Sequence, residues 1–100
     1  MDFLTQEEKD ILGDVADEVA VLIVDDDRLV LAALENLLRM DGCRIITAHS
    51  GYEALEILGK EPVGVIICDQ RMPGIEGVEV LQKAVALQPH AIRMLITANC

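Results

Sequence analysis

Five polar residues in this sequence directly follow short apolar runs: Asp25, Asp26, Asp27, Asp69 and Thr97. If a fold brought the ends of those runs together, several carboxylates would converge. Converging carboxylates repel one another, and some take up protons unless a cation neutralises them. Oxygen ligands of this kind suit Mg²⁺, which binds one or two carboxylates, keeps several waters and accepts a phosphate oxygen. The pattern therefore favours a magnesium site.

The alternative for the first three acids is helix capping. Asp25, Asp26 and Asp27 precede a stretch with helical spacing, and acidic residues are stabilising near the positive end of a helix dipole. We expect one of the three to serve as a cap. That leaves the other two free to act with Asp69.

The elements that must position these acids alternate between strand and helix. Short apolar, β-branched runs predict strands, and apolar residues at spacings of three and four predict helices between them. The predicted strands are 20–24, 43–48, 63–69 and 91–96, and the predicted helices are 28–40, 51–58 and 76 or 77 to 88. Such alternation with short connections predicts an α/β fold with a doubly wound parallel sheet, in which the strand carboxyl ends meet at one edge.

Local patterns refine this arrangement. The apolar run before Asp69 has no polar face, which suits a strand covered on both sides, whereas the more polar run 43–48 suits an edge strand. Ser50 and Glu53 form a capping-box pattern. We expect Gly74 and Gly77 to be turn residues in the loop after Asp69.

Composition limits the class of protein. One hundred residues allow a single domain, and a net charge of −10 argues against binding to nucleic acid or a membrane surface. With one Phe, one Tyr and no Trp, the core must be aliphatic, and Met72 and Met94 are expected to be packing residues rather than ligands. Cys43 and Cys68 read as reduced strand residues of a cytoplasmic protein.

The chain divides into two predicted parts. Residues 1–19 have apolar positions at helical spacing with acids between them, which predicts an amphipathic helical extension. Thr5 and Glu8 have the spacing of a capping box at its start. Residues 20–100 form the α/β domain.

Three segments of the domain resemble the receiver domain of two-component response regulators. They are Val-Leu-Ile-Val-Asp-Asp-Asp at 21–27, Asp-Gln-Arg-Met-Pro-Gly-Ile-Glu-Gly at 69–77 and Leu-Ile-Thr-Ala at 95–98. The resemblance implies a flavodoxin-like fold in which Asp69 accepts a phosphoryl group from a histidine kinase or phosphotransfer protein. It implies that Asp25, Asp26, Asp69 and the backbone carbonyl of Arg71 bind Mg²⁺. Thr97 would hydrogen-bond the phosphoryl group, and a downstream effector domain missing from this chain would respond.

The resemblance also implies what would follow. Receiver domains continue with a further helix, a fifth strand ending in a lysine and a last helix, and this sequence has no lysine after Lys83. We therefore expect an incomplete receiver fold. Its fourth strand would be an exposed edge, and the apolar stripe of the first domain helix, including Leu29 and Leu31, would lose a neighbour. The expectation is a homodimer, formed by fourth-strand pairing or by exchange of N-terminal helices, with Cys100 near the interface.

The sequence is also compatible with two other functions. One is a pseudo-receiver that is not phosphorylated and acts only as an interaction module. The other is a haloacid-dehalogenase-like phosphatase, because residues 24–30 also have the pattern of a strand end followed by Asp-x-Asp. In that enzyme Asp25 would be the nucleophile, Asp27 the general acid and Thr97 a phosphate ligand.

Overall fold

The computed structural model describes residues 5–7, 20–39 and 44–97 of the chain. Four strands alternate with three helices: β1 (Ala20–Val24), α1 (Arg28–Arg39), β2 (Arg44–Ala48), α2 (Gly51–Leu58), β3 (Val65–Asp69), α3 (Gly77–Leu87) and β4 (Ile92–Ile96). The strands form one parallel sheet in the order β2-β1-β3-β4. The predicted doubly wound parallel sheet is therefore confirmed, and so is the edge position of the second strand.

Some predictions fall outside these residues. Nearly all of the predicted N-terminal helix, Cys43 at the start of the second predicted strand, and Cys100 lie outside the described part of the chain. None of the helices in the described ranges is long and apolar enough to cross a membrane.

Local hydrogen bonds explain where α2 and α3 begin and end. Ser50 Oγ accepts from the Glu53 backbone N–H at 3.1 Å, which is the first half of the predicted capping box. The Glu53 carboxylate instead lies 3.0 Å from Nε2 of His49. Helix α3 ends at Leu87 with Gln88 as its C-cap, because Pro89 disfavours a helical conformation in the residue preceding it.

The main core lies between the sheet and helices α2 and α3. Alternate residues of β1 and β3 point to this side, and the helices cover them with small and branched side chains. The largest completely buried members are Leu22, Val24, Leu58, Ile66, Cys68 and Val80. The side chain of Gln88 links the end of α3 to the end of α2 and the turn after it. Its Nε2 donates to the carbonyl oxygens of Leu58 and Glu61, each at 2.8 Å.

Helix α1 covers the opposite face of the sheet with a smaller cluster. Val21 and Ile23 of β1 pack there with Leu31, while Val65 and Ile67 of β3 are only partly buried. The expectation that β3 is covered on both sides therefore holds fully for one face and in part for the other. The expectation that both Leu29 and Leu31 would lack a neighbour is wrong for Leu31, because this residue faces the sheet and is 8% exposed. Leu29 is 81% exposed.

Strand β4 forms the second edge of the sheet. Its apolar residues Ile92, Met94 and Leu95 are exposed within the described part of the structure. Of the two methionines expected to be packing residues, Met72 is buried, whereas Met94 is 50% exposed.

Candidate metal centre

Three of the predicted acids meet at the carboxyl edge of the sheet. Asp25 directly follows β1, and Asp69 is the last residue of the neighbouring strand β3. The register pairs Val24 with Cys68, so the next residues along the two strands are Asp25 and Asp69. One carboxylate oxygen from each of Asp25, Asp26 and Asp69 lies within 4.8 Å of the others. The topology thus brings together residues that are more than forty positions apart in the sequence.

In the turn after β1, Asp25 and Asp27 make different hydrogen bonds. The backbone N–H of Asp25 donates to the carbonyl oxygen of Ala48, and Oδ1 of Asp25 accepts from the backbone N–H of Asp27 at 2.9 Å. Oδ1 of Asp27 accepts from the backbone N–H of Leu29, also at 2.9 Å. Asp27 therefore caps α1, which confirms that one of the three acids acts as a helix cap.

Asp25 is the buried acid of the cluster. Its side chain is buried, and this burial raises the pKa of its carboxyl group above the ordinary value of an aspartate. The hydrogen bond from Asp27 lowers that pKa, while the negative charges of Asp69, Asp26 and Asp27 raise it further. A cation bound between the carboxylates would relieve both the burial cost and the repulsion. The all-oxygen donor set therefore fits a hard divalent ion such as Mg²⁺.

Thr97 and Arg71 are placed at the same edge. The register pairs Asp69 with Ile96, and the backbone N–H of Gln70 donates to the carbonyl oxygen of Ile96 at 3.0 Å. Thr97 follows this pair directly and is exposed, as is Arg71, two residues beyond Asp69. The structure thus gathers the three acids into one cluster and leaves Arg71 and Thr97 near the strand ends that carry it.

The loop after Asp69 is anchored inside the protein. Met72 and Ile75 are buried in the main core, on either side of Pro73 and Gly74. Gly74 has a φ of 87°, and a Cβ at this position would lie 2.8 Å from Cε2 of Tyr52. Because few residues other than glycine adopt this conformation, the predicted turn role of Gly74 is confirmed.

Gly77 has a different role from the one predicted. It is the first residue of α3 rather than a turn residue. A Cβ there would clash with the backbone carbonyl oxygen of Asp69 and would lie 2.8 Å from Cδ1 of Leu95. Glycine is required because the start of the helix approaches the strand tip closely, and spacing along the sequence gives no signal of that approach.

Gln70 is the polar residue of this site that the sequence did not reveal. Its Oε1 accepts from the backbone N–H of Val78 at 2.9 Å, and its Nε2 donates to Oε2 of Glu76 at 3.1 Å. The partners are six and eight residues away, beyond the range of local capping patterns. The sequence carried only an indirect indication: Glu76 at the start of the predicted helix is a poor capping residue, so the cap had to come from elsewhere.

Cys68 lies buried directly before Asp69. Burial raises the pKa of its thiol to about 12, and the charges of Asp69 and Asp25 act in the same direction. Its Sγ donates a weak hydrogen bond to the carbonyl oxygen of Asp69 at 3.4 Å. The thiol is therefore protonated and free, in agreement with its prediction as a reduced strand residue.

Known proteins with similar sequences share one domain with this chain. The hydrogenase transcriptional regulatory protein HoxA of Cupriavidus necator is 40% identical over 80 residues, and the cyclic di-GMP phosphodiesterase of Thermotoga maritima is 35% identical over 80 residues. Each alignment covers 80% of this chain but only 16% and 21% of the respective relative. The chain thus spans less than a quarter of the length of either relative.

Solved structures with the same fold include ligand-bound examples. Response regulator protein TrrA from Thermotoga maritima, in complex with Mg²⁺ and BeF, is 34% identical with a TM-score of 0.76, over 80% of this chain and 70% of that one. A Burkholderia pseudomallei response regulator with a phosphorylated aspartic acid, a calcium ion and citrate is 26% identical with a TM-score of 0.77, over 82% and 48%.

The family match covers the whole α/β domain. Residues 21–100 match the response regulator receiver domain, and this range contains Asp25, Asp26, Asp27, Asp69 and Thr97. The phosphatase and pseudo-receiver alternatives are not favoured by these matches. The chain belongs to the response regulator receiver family, the phosphoacceptor domains of two-component signalling.

Proposed function

We propose that Asp69 is the phosphoacceptor of this receiver domain and that Asp25, Asp26, Asp69 and the backbone carbonyl of Arg71 hold Mg²⁺ beside it. The observation that carries the proposal is the convergence of three carboxylates within 4.8 Å at the carboxyl edge of the sheet. This is the edge at which open α/β sheets bind ligands. The resemblance of the 69–77 segment to receiver domains supports the choice of Asp69.

The environments of the acids also favour Asp69 as the nucleophile. Asp25 is buried and accepts a backbone hydrogen bond, and Asp27 is engaged as the cap of α1. Asp69 is half-buried at the tip of β3, a strand paired on both sides. A carboxylate that is accessible and yet held by a rigid strand is well placed for in-line attack.

In the proposed step, a carboxylate oxygen of Asp69 attacks the phosphorus of a phosphohistidine on the partner. The P–O bond forms as the P–N bond breaks, and the leaving imidazole keeps the electron pair and takes up a proton. Bound Mg²⁺ would supply neutralisation of the phosphoryl oxygens, since phosphoryl transfer depends mainly on positioning and charge stabilisation. The hydroxyl group of Thr97 donates to a phosphoryl oxygen and so couples the state of Asp69 to β4.

The partners follow from this chemistry. The phosphodonor is a histidine kinase or a phosphotransfer protein in the cytoplasm, and an output domain reads the phosphorylated state. We also propose that the chain forms a homodimer, because the edge strand β4 exposes Ile92, Met94 and Leu95. Sedimentation at micromolar concentration tests the dimer. A compact monomer that is unchanged by deletion of residues 1–17 would contradict it.

Labelling with a small phosphodonor tests the phosphoacceptor. The purified chain is treated with an acyl phosphate or phosphoramidate and Mg²⁺, and its intact mass is measured before and after hydroxylamine. We expect a hydroxylamine-sensitive phosphoryl group on the wild type and on Asp27→Asn, and none on Asp69→Asn. Label that persists in Asp69→Asn and maps to Asp25 would revive the phosphatase alternative. A folded wild type that takes no label would support an interaction module.

A further inference from the structure

Gln70 uses all four of its polar groups to join three elements. Its backbone N–H donates to the carbonyl oxygen of Ile96 at the end of β4, and its backbone carbonyl accepts from the N–H of Gly77 at 3.1 Å. Its side-chain oxygen accepts from the N–H of Val78, and its side-chain nitrogen donates to the carboxylate of Glu76. The residue that follows Asp69 is therefore tied both to β4 and to the start of α3.

These bonds supply the cap that α3 otherwise lacks. Glu76 occupies the N-cap position but makes no side-chain capping hydrogen bond. The first N–H groups of a helix have no partner within the helix and need one from outside. Gln70 satisfies two of them, at Gly77 and Val78. The segment from Gln70 to Glu76 is thereby closed into a loop by the residue at its own beginning.

The closed loop has little room to shift. Met72 and Ile75 anchor it in the main core, and the absence of a side chain at Gly77 lets the helix start lie against the carbonyl oxygen of Asp69. Arg71 lies within this loop, directly after Gln70. The Arg71 backbone therefore lies between the hydrogen-bonded Gln70 and the buried Met72.

We propose that Gln70 is a positioning residue of the metal centre. By clamping the 70–76 loop to the start of α3, its side chain holds the Arg71 carbonyl in place beside the three carboxylates. This inference rests on the proposed function, in which that carbonyl is a metal ligand. Groups that orient metal ligands from behind commonly change metal affinity when removed, by about ten- to a hundredfold. Because Gln70 acts through a single carbonyl ligand, we expect the lower end of that scale or less.

The experiment is a titration of the whole unphosphorylated chain with Mg²⁺, followed by amide NMR signals including those of Gly77 and Val78. We expect Gln70→Ala to raise the dissociation constant about three- to tenfold. Gln82→Ala, the same substitution at an exposed position on α3, serves as the matched control and should bind as the wild type does. Melting of the metal-free variants is measured alongside, since loss of a cap alone lowers stability.

A second pair of variants separates contact from charge and leaves the α3 cap intact. Glu76 is exposed, so its substitution should leave the fold unchanged. Glu76→Gln keeps an oxygen that can accept from Gln70, whereas Glu76→Ala does not. We expect Glu76→Ala to weaken Mg²⁺ binding about twofold, with Glu76→Gln close to wild type. Equal weakening in the two variants would mean that the charge, not the contact, matters, and would overturn the proposal.

The outcomes distinguish this inference from the function on which it rests. If Gln70→Ala lowers the melting temperature but leaves the Mg²⁺ dissociation constant unchanged, Gln70 is only a helix cap and the inference is wrong. If the wild-type signals do not respond to Mg²⁺, or respond equally in Asp26→Asn, the proposed metal centre itself is wrong.

Discussion

The two faces of the sheet are packed very differently, although β1 and β3 contribute side chains to both. On the face covered by α2 and α3, thirteen described residues form one buried cluster. On the face covered by α1, the described residues that are buried are only Val21, Ile23 and Leu31, with partly buried residues packed around them. The first face can therefore hold its neighbours in a single arrangement, whereas the second is half open in the described structure.

The candidate site depends mainly on the densely packed face. Met72 and Ile75, which anchor the loop after Asp69, both belong to the larger cluster. Cys68, immediately before Asp69, belongs to it as well. The proposed phosphoacceptor Asp69 is therefore supported mainly from the densely packed face.

The largest expected effect is on the free energy of unfolding, and it is tested at two neighbouring isoleucines of β3 that point to opposite faces. Ile66 is completely buried in the larger cluster, and Ile67 is half-buried against α1. We expect Ile66→Ala to reduce the free energy of unfolding by about 3–4 kcal/mol, because a buried cavity adds to the lost transfer free energy. Ile67→Ala should cost about 1–2 kcal/mol, because the side chain is already partly in water.

Urea unfolding of the two variants measures this difference. The substitution, the strand and the strand pairing are the same, so each variant is the control for the other. Similar losses for both would mean that the α1 face is as well covered as the other, either by residues outside the described ranges or by a second copy.

A second prediction concerns the contact between the packed face and the site. Gly77→Ala would place a methyl group against the carbonyl oxygen of Asp69, a backbone atom that cannot move without shifting the strand tip. We expect a loss of about 1–3 kcal/mol in unfolding free energy, typical of overpacking. Gly59→Ala is the control, because a Cβ there makes only ordinary contacts of 3.6 Å. Equal melting temperatures for the two variants would show that α3 can move away from β3.

The sequence predicted the fold well because the decisive signals are local. Buried β-branched runs and helical spacing gave every described strand and helix to within about two residues. The convergence of the acidic residues was also predictable, because strand ends of a parallel sheet meet at one edge wherever the order allows it. Asp25 and Asp69 needed only that rule to be placed together.

What the sequence missed depends on contacts between distant residues. Periodicity put both Leu29 and Leu31 on one apolar stripe, but only the helix rotation observed in the structure decides which of them faces the sheet. The capping of α3 by Gln70 and the close approach at Gly77 require the loop geometry. Met94 was expected to be a packing residue rather than a ligand, but its place on an edge strand leaves it 50% exposed in the described structure.

A smaller effect is expected at the carboxyl edge of the sheet, where Asp25, Asp26 and Asp69 converge. Asp25→Asn should raise the unfolding free energy of the metal-free chain by about 1 kcal/mol, a gain common when a functional site is relieved of strain. The amide oxygen can still accept from the N–H of Asp27, and the buried negative charge is removed. Thermal melting with and without Mg²⁺ should show a gain from the ion in the wild type that is reduced in the variant.

The same substitution has a pH signature. In the folded chain the pKa of Asp25 is raised above the ordinary aspartate value of 3.8. The folded state therefore holds this proton more tightly than the unfolded state does, and the resulting stabilisation is full below pH 3.8 and is lost as the pH rises through the folded pKa. Asp25→Asn should remove this decline from the metal-free profile. An unchanged profile would mean that another group causes the decline.

The smallest effect is expected on the exposed side of α1. Leu29 is 81% exposed, and its hydrogen bond to Asp27 comes from its backbone N–H and does not involve its side chain. Leu29→Gln should therefore change the unfolding free energy by less than about 0.5 kcal/mol. Leu31→Gln is the control, and we expect it to cost at least about 2 kcal/mol because it places an amide group in the small cluster. Measured at two protein concentrations, these variants also probe the open face. A loss at Leu29 that grows with concentration would indicate that a second copy covers α1, and the contrast between the two faces would then belong to the monomer alone.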